Sequence, residues 1–247
     1  MEYQMVFYKA LQDDEEFMRA LQIMLSKGAF ATDLLITLGR RLNFAYDEKL
    51  TNIIKNHPEG DVSHLIWRLH TACWAAHSCL ELDGAFVECG VQDGTFAYTI
   101  LEYLSLKNKK DFYLYDTFSG IPDRYNTLQE IDLNHDQFKD HGQYEKLKNR
   151  FSEFNNVHLV KGVLPDKLSD KCPEKISFLH MDLNNHESER DTLRVLIDKL
   201  TPGGIVLFQS YEFDIYKIWK ISDDDFIKEN NIKILSLPTG QGMFVKR

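Results

Sequence analysis

The stretch Phe86-Val87-Glu88-Cys89-Gly90-Val91-Gln92-Asp93-Gly94-Thr95 decides the fold of this chain. A short apolar run with Phe and Val ends in an acid. Glycines follow at Gly90 and Gly94, and Ala97 to Leu106 then carries a helical pattern. Strand, tight glycine turn and helix open a Rossmann-like unit. Glycine permits a positive φ and a close approach of backbones. The helix start offers unpaired N–H groups and the positive end of its dipole to a ligand. The spacing is Glu-x-Gly-x-x-x-Gly, not the Gly-x-Gly-x-x-Gly of dinucleotide enzymes, so pyrophosphate binding is disfavoured. Taken alone, the run reads equally as a structural turn.

Downstream, strand and helix patterns alternate, which predicts an α/β domain with a parallel sheet. Strands are expected over Ala85 to Cys89, Phe112 to Tyr115, Val157 to Val160, Ile176 to His180, and Ile205 to Phe208 after Pro202-Gly203-Gly204. A helix is expected over Glu189 to Leu200, capped by Ser188. Ile232 to Leu237 and Met243 to Lys246 read as a closing strand pair joined by Pro238-Thr239-Gly240. The polar segment Ser119 to Gly142, with Asp123, Asp132 and Asp136, is too long for an ordinary connection and reads as an active-site lid.

Upstream, residues 1–80 read as a helical extension to a domain over 81–247. Acids at Asp13-Asp14-Glu15-Glu16 start a helix that Gly28 ends. A second helix is expected over Asp33 to Leu42 and a third over Ser63 to Leu82, with Pro58-Glu59-Gly60 as a turn. His70, Cys73 and His77 share one face of the third helix. They sit among Leu, Trp and Ala, so a core stripe outweighs a metal site. The extension covers the cleft or forms a homodimer contact; Trp67, Leu69 and Trp74 suit either role, or simple packing.

The chain has 247 residues, 43% of them hydrophobic, enough for one large α/β domain. A net charge of −9 argues against a nucleic-acid partner, which would want a basic face. No apolar run reaches the roughly 18 residues of a membrane span. Met1 to Asp14 lack the basic and apolar regions of a secretory signal. Cys73, Cys79, Cys89 and Cys172 form no Cys-x-x-Cys pair, which predicts a reduced, cytoplasmic setting.

In open α/β sheets ligands sit beyond the carboxyl ends of the strands. Glu88 there can accept from a ligand ammonium or orient the glycine loop. Asp116 stands where a ribose-binding acid belongs, because a carboxylate takes both ribose hydroxyls; the competing reading is a helix cap. Lys161-Gly162 offers a backbone N–H to an adenine edge, or is an ordinary turn. The densest polar cluster is His180-Met181-Asp182-Leu183-Asn184-Asn185-His186-Glu187-Ser188. In it Asp182 suits a hard cation or a proton, and His180 or His186 suits a general base. A solvated first helical turn also accounts for His186.

Five blocks carry a family resemblance: Phe86 to Val91, Asp116-Thr117-Phe118-Ser119-Gly120-Ile121-Pro122, Val160-Lys161-Gly162, Leu179-His180-Met181-Asp182 with Glu187-Ser188, and Leu200-Thr201-Pro202-Gly203-Gly204. In order and spacing they resemble the macrocin/mycinamicin-type sugar O-methyltransferases, which are class I, S-adenosylmethionine-dependent enzymes. The Asp-Thr-Phe-x-Gly-x-Pro run is the most specific, and the resemblance covers about two thirds of the chain. It implies a Rossmann-like seven-strand sheet with an antiparallel last strand. It implies S-adenosylmethionine held by Glu88, Gly90, Gly94, Asp116, Thr117, Phe118 and Asp182, with adenine near Lys161 and Gly162. It implies methyl transfer to a hydroxyl of a sugar, glycoside or other small molecule, helped by Mg²⁺.

The chain departs from that pattern at the metal. The family's Asp-Gly-Asp-x-Tyr-Glu-Ser reads Asp182 to Ser188 with Asn184 in place of an acid. Its Asp-Asp-Tyr reads Gln209-Ser210-Tyr211. Mg²⁺ prefers charged oxygens. Three readings stay open: a weak Mg²⁺ on Asp182, Asn184 and Gln209; a metal-free site using His180, His186 or Asp182 as base; or a protein that binds S-adenosylmethionine as a partner or regulatory subunit without catalysis. An NAD-dependent oxidoreductase is disfavoured by the glycine spacing and the closing strand pair.

Overall fold

The structure, a computed structural model, describes residues 41–125, 142–212 and 225–247, the pieces 30–33 and 35–37, and positions 15, 19 and 22. The first expected helix therefore lies outside the described residues except Glu15, Arg19 and Gln22, each of them helical. Residues 126–141, most of the expected lid, also lie outside.

Where a second helix was expected, strands β1 (Phe30–Thr32) and β2 (Leu35–Thr37) pair antiparallel. The expectation over Asp33 to Leu42 is corrected: Asp33 is left-handed, with φ 49°, and turns the chain between the two short strands. Its carboxylate accepts from Trp67 N at 3.1 Å, docking this hairpin on the first turn of the helix over Ile66–Ser78.

Two helices follow. Helix α1 (Glu48–Lys55) was not read from the sequence; Asp47 caps it by accepting from Leu50 N at 3.0 Å, and it buries Leu50 and Ile54. Helix α2 (Ile66–Ser78) is shorter than the expected Ser63 to Leu82. A 3₁₀ turn, Ser63–Leu65, precedes it. Past its end, Lys110 Nζ donates to the carbonyls of Cys79, Leu80 and Leu82, which satisfies oxygens that further helix would have used. On α2, Cys73 is in the core, His70 stacks on Phe44 at 4.6 Å and His77 is exposed.

The remaining chain builds one sheet. Strand β3 (Ala85–Cys89) is buried throughout and leads to helix α3 (Thr95–Leu104). Then come β4 (Phe112–Asp116), helix α4 (Gln143–Arg150), β5 (Val157–Lys161), β6 (Ile176–Met181), helix α5 (His186–Leu196), β7 (Leu200–Phe208), helix α6 (Asp225–Glu229), β8 (Leu235–Ser236) and β9 (Gly242–Val245). The seven strands lie in the order β5-β4-β3-β6-β7-β9-β8. The first five run parallel, and β9 is antiparallel to both β7 and β8. The Rossmann-like sheet with an antiparallel last strand is therefore present. Its closing pair is trimmed: only Leu235–Ser236 of Ile232 to Leu237 is strand.

Alternate residues of each strand feed two cores. Phe86, Phe112, Phe178 and Leu207 pack with Leu50, Leu69, Ile100 and Leu101 from α1–α3. Val87, Tyr115, Leu179 and Phe208 pack with Leu193 and Leu196 of α5 on the other face. Helix α5 starts three residues earlier than expected. Its cap is Asn185, not Ser188: Asn185 Oδ1 accepts from Ser188 N at 3.0 Å. Among the described residues no helix is long and apolar enough to cross a membrane.

Two buried polar groups give tests of this packing. Asn156 Nδ2 donates to Leu106 O at 2.9 Å and Lys110 O at 2.6 Å, and its Oδ1 accepts from Asn108 N at 2.8 Å. Asn156→Ala strands three backbone groups and is expected to cost about 2–4 kcal/mol in urea unfolding; a loss under about 0.5 kcal/mol contradicts this role. Glu189, 5% exposed, accepts from Leu183 N at 3.1 Å, and burial, with Asp182 nearby, pushes its carboxyl up to about 8. The folded state thus favours the protonated acid. Its contribution is fully present below the ordinary carboxylate range and is lost as pH rises towards 8. Glu189→Gln keeps the acceptor oxygen and is expected to stabilise the fold by about 2 kcal/mol at pH 8, with the gain vanishing near pH 4. A gain independent of pH contradicts the assignment.

Candidate active site

The carboxyl ends of the parallel strands are tied by one row of backbone hydrogen bonds. Gly162 N donates to Asp116 O, Gly90 N to Tyr115 O and Asp182 N to Cys89 O, each at 2.8 Å, and Gln209 N donates to Met181 O at 2.9 Å. The row carries the sheet's ladder just past the strands and sets where each loop departs. Gly90 has φ +88°, and a Cβ there would lie 2.0 Å from the Asp182 carbonyl oxygen. Glycine is what lets the loop after β3 press against the chain leaving β6.

Asp116 holds the other side of that loop. Its Oδ2 accepts from Val91 N and Gln92 N at 2.8 Å, and its Oδ1 accepts from Phe118 N at 2.7 Å. Gln92 and Phe118 are both left-handed, a backbone state that bulky residues adopt only where surroundings impose it. Thr117 Oγ1 donates to Gly120 O at 2.6 Å and closes the next turn. Phe118 packs on Tyr144 at 5.2 Å, and Lys161 lies over the same ring at 5.3 Å.

Above these loops opens a cavity of about 300 Å³, at the point where β4 and β6 leave β3 on opposite sides. Of the residues singled out in the sequence, Gly90, Asp116, Thr117, Phe118, Gly162, Asp182 and Asn184 line it. Glu88, Gly94, Lys161, His180, His186 and Gln209 do not. Gly94 instead opens α3, with φ 77°, and Lys161 is exposed. Glu88, His180 and Gln209 form a buried polar chain within the sheet. His180 Nδ1 lies 3.8 Å from Glu88 Oε1 and its Nε2 3.5 Å from Gln209 Oε1, with Phe96 at 4.7 Å against the ring. Burial pushes the Glu88 carboxyl up; burial lowers His180, but Glu88 outweighs it and the net shift is upward. His186 is the first residue of α5 and half-buried.

Sequence reading missed Glu59 and Asp93, which also line the cavity. Glu59 sits in the Pro58-Glu59-Gly60 turn, far from the glycine loop in sequence. Arg150 joins the two regions by pairing with Glu59 and donating to Asp93 O. Among the described residues the lining holds four acids, Glu59, Asp93, Asp116 and Asp182, and no Lys, Arg or His. Such a wall attracts a cationic ligand and repels a pyrophosphate. A sulfonium cofactor with an α-ammonium fits this charge; a nicotinamide dinucleotide does not.

Asp182 is partly open to the cavity. Desolvation pushes its carboxyl up to about 6, against the pull of His180 and Arg68, and Ser210 Oγ donates to its Oδ1 at 3.4 Å. A divalent cation fits less well. Asp182 is the only acid among Asp182, Asn184 and Gln209, and Gln209 Oε1 already accepts from Gln241 Nε2 at 2.8 Å. Among the described residues no three His, Cys, Asp or Glu side chains are grouped to hold a metal. The donor set suits Mg²⁺ poorly, because Asp182 is the one charged oxygen ligand these three residues offer.

Comparison with known proteins agrees with this geometry. Among solved structures the chain is similar to the O-methyltransferase NovP, at 17% identity over 83% of this chain and 98% of that chain, with a TM-score of 0.63. It is similar to the calicheamicin methyltransferase CalS11, at 20% identity over 80% of this chain and 90% of that chain, with a TM-score of 0.60. The apo form of CalS11, described as a TDP-rhamnose 3'-O-methyltransferase, gives 18% identity, 80% and 91% coverage, and a TM-score of 0.53. At these identities the likeness is one of fold. A search of curated protein sequences found no match. The sequence model of one family, Macrocin-O-methyltransferase (TylF), matches residues 67–235, more than half of the chain and every lining residue named above except Glu59. The chain therefore belongs to the macrocin O-methyltransferase family of S-adenosylmethionine-dependent enzymes.

Proposed function

We propose that the chain methylates a hydroxyl of a sugar or glycoside, with Asp182 taking the hydroxyl proton. The observation that carries this reading is the cavity's acidic lining, which suits a cationic methyl donor and ends at an acid able to act as base. Bound there, S-adenosylmethionine supplies an electrophilic methyl group on its sulfonium and leaves as S-adenosylhomocysteine.

The chain's own residues do the rest. Asp116 and the Val91 and Gln92 amides it holds define the floor for the ribose, and Gly162 leaves room for the purine. Phe118 closes one side. A sugar hydroxyl is a poor nucleophile at neutral pH and needs its proton removed as the new C–O bond forms. Asp182 lines the cavity, whereas His180 and His186 do not, so Asp182 is the base in this reading. A carboxyl raised to about 6 is still ionised at pH 7 and is a stronger base than an ordinary aspartate. The sugar class draws on family membership and on the description of CalS11 as a TDP-rhamnose 3'-O-methyltransferase.

Two measurements test the parts separately. Asp116→Ala frees the Val91, Gln92 and Phe118 amides and is expected to weaken S-adenosylmethionine binding in calorimetry by about tenfold or more, near 1.4 kcal/mol. Unchanged affinity would remove Asp116 from the cofactor site. Asp182→Asn is expected to keep cofactor affinity within about threefold while slowing methyl transfer to a panel of nucleotide-linked sugars by about 10²–10⁴. In the unmodified protein transfer is expected to fall as pH drops through about 6, because the base must be deprotonated. A flat profile between pH 5 and 7 argues for a different base.

A further inference from the structure

Glu88 is one candidate acceptor for a ligand ammonium, and the fold puts it out of reach. It is 1% exposed, pairs with His180 and does not line the cavity. The methyl donor carries an α-ammonium whose N–H groups need acceptors once water is displaced. Among the acids of the lining, Asp116 already accepts from the Val91, Gln92 and Phe118 amides. Asp93 Oδ1 accepts from Thr95 N at 3.0 Å, at the start of α3. Asp182 faces the acceptor hydroxyl in the reading above. Glu59 remains.

Glu59 is fixed at the cavity edge from behind. Its backbone N donates to His57 Nδ1 at 3.1 Å, and the buried His57 ring packs edge-on to Tyr98 of α3 at 4.9 Å. Gly60 continues the turn with φ +93°, and its N donates to His57 O at 2.9 Å. Arg150, the last residue of α4, completes the clamp: its Nη2 pairs with Glu59 Oε1, and its Nη1 donates to Asp93 O. Helix α4 reaches both because it lies on the glycine loop, where a Cβ at Gly94 would sit 2.7 Å from Leu147 Cδ2. The Arg150 side chain is 10% exposed and does not line the cavity, whereas that of Glu59 is 26% exposed and does. The positive charge therefore stands behind the carboxylate. Arg150 holds one oxygen, and Oε2 has no hydrogen-bond partner among the described residues. A guanidinium stays ionised in such a place and fixes the carboxylate it pairs with.

We propose that Glu59, oriented by Arg150, accepts a hydrogen bond from the α-ammonium of the methyl donor. Arg150 is a positioning residue: it aims Glu59 and does not touch the ligand. The assignment rests on the reading of the cavity as the donor site and not on which sugar is methylated. Chemistry makes it selective, because a donor stripped of its ammonium keeps a carboxylate that Glu59 repels.

The test is calorimetry with three ligands: S-adenosylhomocysteine, its analogue lacking only the α-amino group, and 5'-methylthioadenosine, which lacks the whole amino-acid end. Glu59→Gln is expected to weaken S-adenosylhomocysteine binding about tenfold or more, while 5'-methylthioadenosine stays within about threefold and the deaminated analogue binds as well or better. Arg150→Gln is expected to give the same selective loss, about threefold or more. Unchanged S-adenosylhomocysteine affinity in Glu59→Gln overturns the proposal. So does an equal loss for all three ligands, which is the mark of a merely structural role. Loss confined to S-adenosylhomocysteine in Glu59→Gln but absent from a folded Arg150→Gln overturns the part given to Arg150. Glu59 lies on a surface turn, so Glu59→Gln decides the assignment even if Arg150→Gln fails to fold. Failure of the unmodified protein to bind S-adenosylhomocysteine or 5'-methylthioadenosine would overturn the donor site itself and this assignment with it; nucleoside binding with no response to Glu59→Gln overturns this assignment alone.

Discussion

The approach of Gly90 to the backbone of Asp182 is the contact on which the site depends. A Cβ at residue 90 would sit 2.0 Å from the Asp182 carbonyl oxygen, so the two loops meet only because a glycine stands there. The apposition continues the pairing of β3 with β6 and is clamped from the other side by Asp116, which gathers the Val91 and Gln92 amides. One backbone contact therefore brings a cofactor loop on β3, a carboxylate on β4 and a carboxylate on β6 around a single cavity. Strand order does the rest, because β4 and β6 diverge from β3 and leave a crevice at its carboxyl end.

Charge is distributed around this crevice with a consistent logic. The open wall carries Glu59, Asp93, Asp116 and Asp182, which suits a cationic cofactor. Away from solvent, charges are held in pairs: Glu88 with His180, and Asp33 with Arg68. Buried charges are tolerated only when so compensated. Asp182 lies between the open wall and the paired interior. It is desolvated enough for its carboxyl to rise to about 6, yet it is restrained by the positive charge of His180 and Arg68. Glu189, without such a partner, rises further, to about 8.

Much of this was legible in the sequence, and the reasons are particular. The buried strand Ala85–Cys89 is a continuous apolar run broken only by Glu88, and the glycines that follow have no other strong use. Asp116, Gly162 and Asp182 stand out by their positions after strands, Thr117 and Phe118 by the family resemblance, and all five line the cavity. Other features left weaker marks. Helix α4 buries only Leu147, so it shows no apolar stripe. The hairpin β1–β2 turns on Asp33, a residue that in sequence looks like a helix start. Ser188 and Asn185 are both good caps, and only the geometry chooses Asn185. Glu59 reaches the site through tertiary packing of the segment before β3, and no local spacing announces it.

The central claim is that this acidic cavity is the seat of the methyl donor. A crystal structure of the protein with S-adenosylhomocysteine tests it most directly. The account predicts the nucleoside between Asp116 and Gly162, with the sulfur turned towards Asp182. Ligand bound elsewhere on the protein, or a saturated protein with this cavity empty, would contradict it.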